Sequence, residues 1–347
     1  MIRFPTTPNV AADLVSLFRE GLRRSKVTDG EGVVVYADTL SNPQYPAAFL
    51  AAAKDLGAEA CQIIQPAIPH KLGRGIGRAT PTPIIVEAMK KADFVVDVST
   101  GGMLYSNEQN SILATGTRIL RVREPDDCLL RLLPEQEVRA RTIKGGERFG
   151  AAERIRIISE DGTDLTMDKG SRPVSIQYGM ADEPGRWDHW PTGLITTTVI
   201  EESVEGTLVI GPASIIFPFE RYVTEAIRIK FDDGFATSIE GGREAIMLRD
   251  LLATQNSQNC RRVAHVGWGT DHRARWDVLA SRGADGGGGA ELRSIYGGVL
   301  LALGENRDLR GANAAPLHLD IALRRARLEL DGVAVVENGQ ILDPNLA

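Results

Sequence analysis

The sequence predicts a chain in two parts, an α/β N-terminal domain with a parallel sheet followed by a mainly antiparallel α+β C-terminal domain. Three observations predict it. At 347 residues the chain exceeds the size at which one hydrophobic core usually stops growing. Up to about residue 123 short apolar runs alternate with amphipathic stretches, as strands do with crossover helices. Beyond about residue 150 the pattern becomes short strands separated by hairpin turns. The domains are accordingly drawn as 1–150 and 151–347.

In the first part a helix is expected from Asn9, which is placed to cap it, with Val10, Leu14, Leu17 and Phe18 on one face. Strands follow at Val33–Ala37, Cys61–Ile64, Phe94–Val98 and Arg118–Val122, with helices near 45–56, 81–92 and 106–115 between them. Their near-continuous Val and Ile content predicts a parallel sheet covered on both faces. Ligands of such sheets sit beyond the carboxyl ends of the strands, which makes Ser99–Ser106 a candidate pocket wall. In the second part Gly206–Ile210 and Ala226–Phe231 read as strands, the latter followed by Asp232-Asp-Gly. The chain ends in a meander, Arg327–Leu330, Val333–Val336 and Gln340–Leu342, with Asp331-Gly332 and Asn338-Gly339 at its corners; such pairs favour primed hairpin turns. The glycine-rich stretch Gly283–Ala290 reads as a surface loop.

Composition narrows the function. A formal charge of -6 provides no basic stripe for nucleic acid. Neither a signal peptide nor an apolar span of membrane length is found, so a soluble, cytoplasmic protein is expected. The three cysteines, Cys61, Cys128 and Cys260, form no CxxC pair and are expected as reduced, buried thiols. Gly73-Arg-Gly-Ile-Gly77 lacks the strand–turn–helix placement of a dinucleotide fingerprint, and no Walker A or GxSxG motif occurs.

Histidine carries the chemistry. There are five, at positions 70, 189, 265, 272 and 318. In Leu317-His-Leu-Asp-Ile321 a strand would put His318 and Asp320 on one face, since side chains alternate. One His-x-acid pair is expected by chance, and a structural His–Asp hydrogen bond explains it equally well. His265, at the end of an apolar segment running into a glycine turn, offers a second imidazole. Two imidazoles and a carboxylate occupy three octahedral positions of Fe(II) and leave three open. Three ligands with a water also describe hydrolytic zinc. His272, among charged neighbours, and His70, between Pro69 and Lys71, read as loop residues.

The segment Tyr178–Gly193 packs two tryptophans, a histidine and four charged residues together and reads as a pocket lining. It closely resembles the 2,5-dihydroxypyridine 5,6-dioxygenases, as do His265-Val-Gly-Trp-Gly269, the His318-Leu-Asp320 strand and Ser106–Leu120, in matching order along nearly the full chain. The resemblance implies an Fe(II) enzyme that inserts both atoms of O2 across a ring bond of a dihydroxypyridine, giving an N-formylmaleamate-type product. It implies His265, His318 and Asp320 as iron ligands, Tyr105 and His189 as catalytic residues, and Leu104, Ser106, Gln177, His189 and Arg293 as substrate contacts. Tyr105 stands where the family pattern has the histidine that takes the substrate proton, Gln177 where it has glutamate, and Ala302 where it has serine. With an ordinary pKa near 10, tyrosine is a poorer neutral-pH base than imidazole but can relay a proton. A related 5-hydroxylated N-heterocycle is therefore an alternative substrate.

Two other classes stand beside this reading. Gly304-Glu-Asn306, Gly311-Ala-Asn313 and His-x-Asp also resemble aminopeptidase T-type metallopeptidases, but His265 stands where a glutamate ligand of a two-metal site is expected. A non-catalytic small-molecule binding protein on the same scaffold is the third. A homo-oligomer is expected, with no nucleic-acid or membrane partner.

Overall fold

Valine- and isoleucine-rich runs demand burial on both faces of a sheet, and the computed structural model shows how the chain supplies it. The structure describes residues 8–67, 81–104, 106–219, 221–282 and 289–343. His70, the Gly73–Gly77 glycines, Tyr105 and most of the Gly283–Ala290 stretch lie outside the described residues.

Described residues up to Pro134, together with Gly179–Pro191, form one compact unit. It contains α1 (Pro8–Arg24), β1 (Gly32–Asp38), α2 (Gln44–Asp55), β2 (Glu59–Gln65), α3 (Pro83–Met89), β3 (Phe94–Asp97), α4 (Asn107–Leu113), β4 (Arg118–Val122) and α5 (Asp126–Arg131). The chain then enters a second unit through α6 (Gln136–Gly150), β5 (Arg154–Ile158), β6 (Asp164–Asp168) and β7 (Val174–Gln177). It returns to the first for β8 (Trp187–Trp190) and completes the second from β9 (Leu194–Thr198) onward. A single cut at residue 150 therefore does not describe the units: α6 packs with β7 and β9, and β8 joins the first sheet.

The sheet of the first unit has the order β2-β1-β3-β4-β8 and is parallel throughout. One face packs against Leu14, Phe18, Phe49 and Trp190, the other against Val86, Met89 and Ile112. Helix α1 is already under way at Pro8, so Asn9 lies inside it rather than capping it; proline suits a first turn, where its missing N–H would have no partner. Cys61 is exposed, contrary to expectation, because β2 is the edge strand and most of its residues face solvent; Cys128 and Cys260 are buried. Trp190 lies in the core rather than in a pocket lining, its Nε1 donating to the carbonyls of Leu129 and Leu132 at 3.2 and 3.0 Å.

The second unit continues with β10 (Glu205–Ile210), β11 (Ile215–Ile216), β12 (Arg221–Tyr222), β13 (Ile227–Asp232), β14 (Phe235–Glu240), α7 (Arg243–Thr254) and β15 (Val263–Gly269). After α8 (Val278–Arg282) and α9 (Gly289–Ser294) come β16 (Val299–Gly304), β17 (His318–Leu323), β18 (Arg327–Leu330), β19 (Val333–Glu337) and β20 (Gln340–Ile341). They form two antiparallel sheets, ordered β14-β13-β10-β6-β5-β18-β19-β20 and β12-β11-β17-β16-β15-β9-β7. The predicted corners are in place: Asp233-Gly234, Asp331-Gly332 and Asn338-Gly339 all have φ between 48° and 81°. The sheets share one core, to which the first contributes Ile157, Leu165, Leu208, Ile229 and Leu328, and the second Ile195, Val266, Trp268, Leu301, Leu319 and Ile321. Alternation sends the intervening residues of the seven-stranded sheet to its other face, where Leu194, Ile215, Leu300 and Ala322 pack with Val278 and Leu292. That second face carries the site. No helix among the described residues is long and apolar enough to cross a membrane.

Candidate metal centre

Across the middle of the seven-stranded sheet, antiparallel register aligns Thr198 of β9 with His265 of β15, His265 with Ala302 of β16, and Ala302 with Asp320 of β17. Directly opposed residues project to the same face, so these four form one row. His318 lies two residues from Asp320 on the same strand and joins them, its opposite residue being Gly304. Ala302, fully buried, separates the two outer ligand candidates with a single methyl and leaves the space above it open to both side chains.

A β-bulge aims His265. Val263 pairs with Leu303 and His265 with Ala302, so Ala264 is an extra residue. A regular strand would send Val263 and His265 to the same face; the bulge leaves Val263 in the core and turns His265 to the other side. His265 therefore sits within a strand, not at its end. The glycines that suggested a turn continue that strand, because β9 passes so closely that a Cβ on Gly267 would lie 1.8 Å from the Ile195 carbonyl oxygen.

The donor atoms converge. Nε2 of His265 lies 3.1 Å and Nε2 of His318 lies 3.3 Å from Asp320 Oδ1. The imidazole centroids are 5.1 Å apart, and one ligand atom from each residue falls within 4.8 Å of the others. All three side chains are at least 88% shielded from solvent. Despite the short distances, Oδ1 has no hydrogen-bond partner among the described residues. The three donor atoms thus converge on one point, an arrangement of ligand types that a shared cation would stabilise.

The surroundings favour that cation. His318 Nδ1 lies 2.7 Å from the Glu305 carbonyl oxygen and must donate to it, which leaves Nε2 with its lone pair. Arg293 Nε donates to Asp320 Oδ2 at 2.7 Å, Nη1 donates to the Gly289 carbonyl at 2.8 Å, and the guanidinium lies over the Phe217 ring at 3.8 Å. One carboxylate oxygen is therefore occupied and the other left for the shared point. Burial would raise the Asp320 pKa, but the Arg293 charge and the two imidazoles hold it well below the usual carboxylate range. Burial lowers His265 below the ordinary histidine value despite the adjacent carboxylate. In His318 burial acts the same way but is outweighed by the Asp320 charge and the Glu305 carbonyl, so its pKa is raised. A shared divalent cation favours an ionised carboxylate with neutral imidazoles, so the donor set fits a metal of the kind served by two histidines and one carboxylate.

The remaining expected residues are distributed as follows. Gln177 ends β7, is buried and pairs with Leu194 in the second unit. Leu104, Ser106 and His189 belong to the first unit. Ser106 caps α4, its Oγ accepting from the Gln109 amide at 3.0 Å, and His189 sits on β8 with its ring 5.5 Å from that of Trp187. His272 is exposed near Arg141 and Glu137, as its charged neighbours suggest. Sequence reading did not find the Asp320 partner of Arg293, the Glu305 carbonyl, the bulge at Ala264, or a buried network beneath the site. In that network Glu201 Oε1 accepts from Asn306 Nδ2 at 2.8 Å and from the Ala312 amide at 2.7 Å, while Arg172 donates to Oε2 at 2.7 Å. Asn306 Nδ2 also reaches the carbonyl of the bulged Ala264 at 3.2 Å. The paired asparagines of Gly304-Glu-Asn306 and Gly311-Ala-Asn313 were its one visible trace.

Fold and site together define a class: an α/β unit joined to a two-sheet unit that carries a candidate two-histidine, one-carboxylate metal centre. Residues 13–343 match the family model of 2,5-dihydroxypyridine 5,6-dioxygenase, and the chain belongs to that family. The 2,5-dihydroxypyridine 5,6-dioxygenase of Pseudomonas putida KT2440 is 36% identical over 341 residues, 96% of this chain and 97% of that one. A solved structure of the dioxygenase from the same strain superposes with a TM-score of 0.91 at 35% identity, covering 97% of this chain and 99% of the other. Wild-type AmpT from Thermus thermophilus, at 14% identity and a TM-score of 0.64 over 95% of this chain and 99% of its own, shares the fold.

Proposed function

We propose that the chain is an Fe(II)-dependent dioxygenase that opens the ring of 2,5-dihydroxypyridine, or of a close hydroxylated N-heterocycle, with O2 to an N-formylmaleamate-type product. The observation that carries this reading is the convergence of His265, His318 and Asp320 on one point, in a chain of this family. His265, His318 and Asp320 would hold the Fe(II), which would supply open positions for substrate and dioxygen and electrons for their combination.

The chain's own groups prepare that chemistry. Arg293 occupies Asp320 Oδ2 and so presents Oδ1 alone to the metal. The Glu305 carbonyl fixes the tautomer of His318. Neutral imidazoles and one carboxylate leave a net positive centre, which favours a deprotonated substrate hydroxyl. His189, Gln177, Leu104 and Ser106 orient the ring, with Arg293 acting from the ligand side. Tyr105 and His189 handle the proton, Tyr105 as donor or relay. The working form is a cytoplasmic homo-oligomer.

The bulged histidine and the absence of a second cluster favour this over a two-metal peptidase: among the described residues only these three form a group with metal-ligand spacing, and the Glu305 carboxylate is taken up by Arg307 and the Ala315 amide. Anaerobic loading with Fe(II), followed by oxygen uptake on addition of 2,5-dihydroxypyridine, tests the proposal. His265→Ala and Asp320→Ala should neither retain iron nor consume oxygen. Full iron content in either purified variant refutes the ligand assignment.

A further inference from the structure

His318 has what a metal-bound imidazole needs at its second nitrogen, an acceptor that fixes ring and tautomer. His265 does not: its Nδ1 is buried with no hydrogen-bond partner among the described residues. Besides Asp320 Oδ1 at the metal point, one buried side-chain atom in the same row of the sheet is in the same condition among the described residues, Oγ1 of Thr198. Thr198 is directly opposite His265 in the β9–β15 register, on the side away from Ala302 and Asp320. The Nε2 of His265 points toward Asp320, so the rest of the ring is left to β9. Opposed residues in antiparallel strands have Cβ atoms about 4.5–5.5 Å apart, a span that a hydroxyl and an imidazole nitrogen bridge directly or through one water.

The choice of residue adds an independent argument. Thr198 is fully buried in a strand reading Leu-Ile-Thr-Thr-Thr, where valine has the same shape and strand preference. A buried hydroxyl without a partner is markedly less favourable than one that is satisfied. The neighbouring Thr197 hydroxyl donates to the Pro173 carbonyl at 3.0 Å, whereas that of Thr198 finds no partner among the described residues.

We infer that Thr198 is a positioning residue for the metal centre: its Oγ1 accepts from Nδ1–H of His265 and so holds the Nε2 lone pair on the point shared with His318 and Asp320. The inference rests on the proposed metal site and says which residue orients its least supported ligand.

The test compares Fe(II) dissociation constants, measured anaerobically by competition with a chromogenic chelator, for the full-length wild type, Thr198→Val, Thr198→Ser and His318→Ala. Thermal unfolding of each metal-free protein is measured in parallel. Thr198→Val should bind Fe(II) about 10–100-fold more weakly, the usual loss when a supporting partner of a ligand is removed. Metal-free Thr198→Val should still unfold in one cooperative transition, at a midpoint no higher than that of the wild type, because Nδ1–H of His265 has lost its acceptor; a midpoint above that of the wild type overturns the bond. Thr198→Ser should bind within about threefold of the wild type, having kept the acceptor. A Val variant within that same margin, or a Ser variant as weak as Val, overturns the role of Thr198. Wild-type protein that fails to bind Fe(II), or His318→Ala binding as tightly as wild type, overturns the metal centre itself.

Discussion

Replacing Arg293 by methionine isolates the electrostatic support of the site. Methionine keeps a long apolar stem but removes the donor that meets Asp320 Oδ2 at 2.7 Å and the one that meets the Gly289 carbonyl at 2.8 Å. The Asp320 side chain is 10% exposed, so its carboxylate would be left in low dielectric without its guanidinium partner, beside the two imidazoles alone. Removing one partner of a buried ion pair costs about 3–5 kcal/mol. Because Arg293 is 27% exposed, solvent screening lowers that cost to about 1.5–3 kcal/mol, and the lost stacking on Phe217 adds about 0.5–1, so the expected loss is about 2–4 kcal/mol. Denaturant unfolding of the metal-free protein measures it. Saturating Fe(II) should return part of the loss, since the stranded carboxylate regains a cation, and Arg293→Lys should recover only part, because a point charge does not reproduce the planar fork. A methionine variant within about 0.5 kcal/mol of wild type would show that Asp320 does not depend on Arg293, and the account of its ionisation would fail.

Three further outcomes follow from the same geometry. Ala302→Leu fills the space between His265 and Asp320; it should lower stability by about 1–3 kcal/mol and abolish iron retention measured after desalting, and normal iron content would contradict the row described for β15, β16 and β17. For Glu201 burial alone would raise the pKa, but hydrogen bonds from Asn306 and Ala312 and the Arg172 charge bring it below the ordinary 4.5. Its contribution is therefore complete above pH 4.5 and lost as pH falls through the lower folded value, so Glu201→Gln should be less stable at neutral pH and show a flatter unfolding profile below 4.5; parallel profiles would refute this. Tyr105→His should raise oxygen uptake with 2,5-dihydroxypyridine by supplying a base with a pKa near 6.5, and no gain would indicate that tyrosine serves a different substrate.

Much of the fold was legible because local signals agreed with tertiary ones. Strands β1 to β4 begin and end within about two residues of their apolar runs, whereas β8, Trp-Asp-His-Trp, has no such run and was not read as a strand; Asp-Gly and Asn-Gly pairs mark the corners of the terminal meander. His318 and Asp320 were legible for the same reason, since alternation alone puts them on one face. His265 was readable as a residue but not as a geometry: its direction depends on an extra residue opposite Ala302, and a bulge belongs to the pairing of two strands rather than to either sequence. The Glu305 carbonyl leaves no side-chain signature at all. Arg293 and Asp320 are separated by 27 positions, and nothing local to either announces the pair. The threonine run of β9 did carry a signal, polar atoms in a wholly buried strand, that periodicity analysis passes over.

The buried Glu201 network has a bearing on motion. Asn306 grips the bulged carbonyl ahead of His265, while its chain neighbour Glu305 holds His318, so the backbone beneath both imidazoles hangs from one carboxylate. Free-energy coupling is reciprocal. A cation settling among the donors would therefore slow amide exchange at Ala312 and Asn313, a loop it never touches, and chelation would quicken it again.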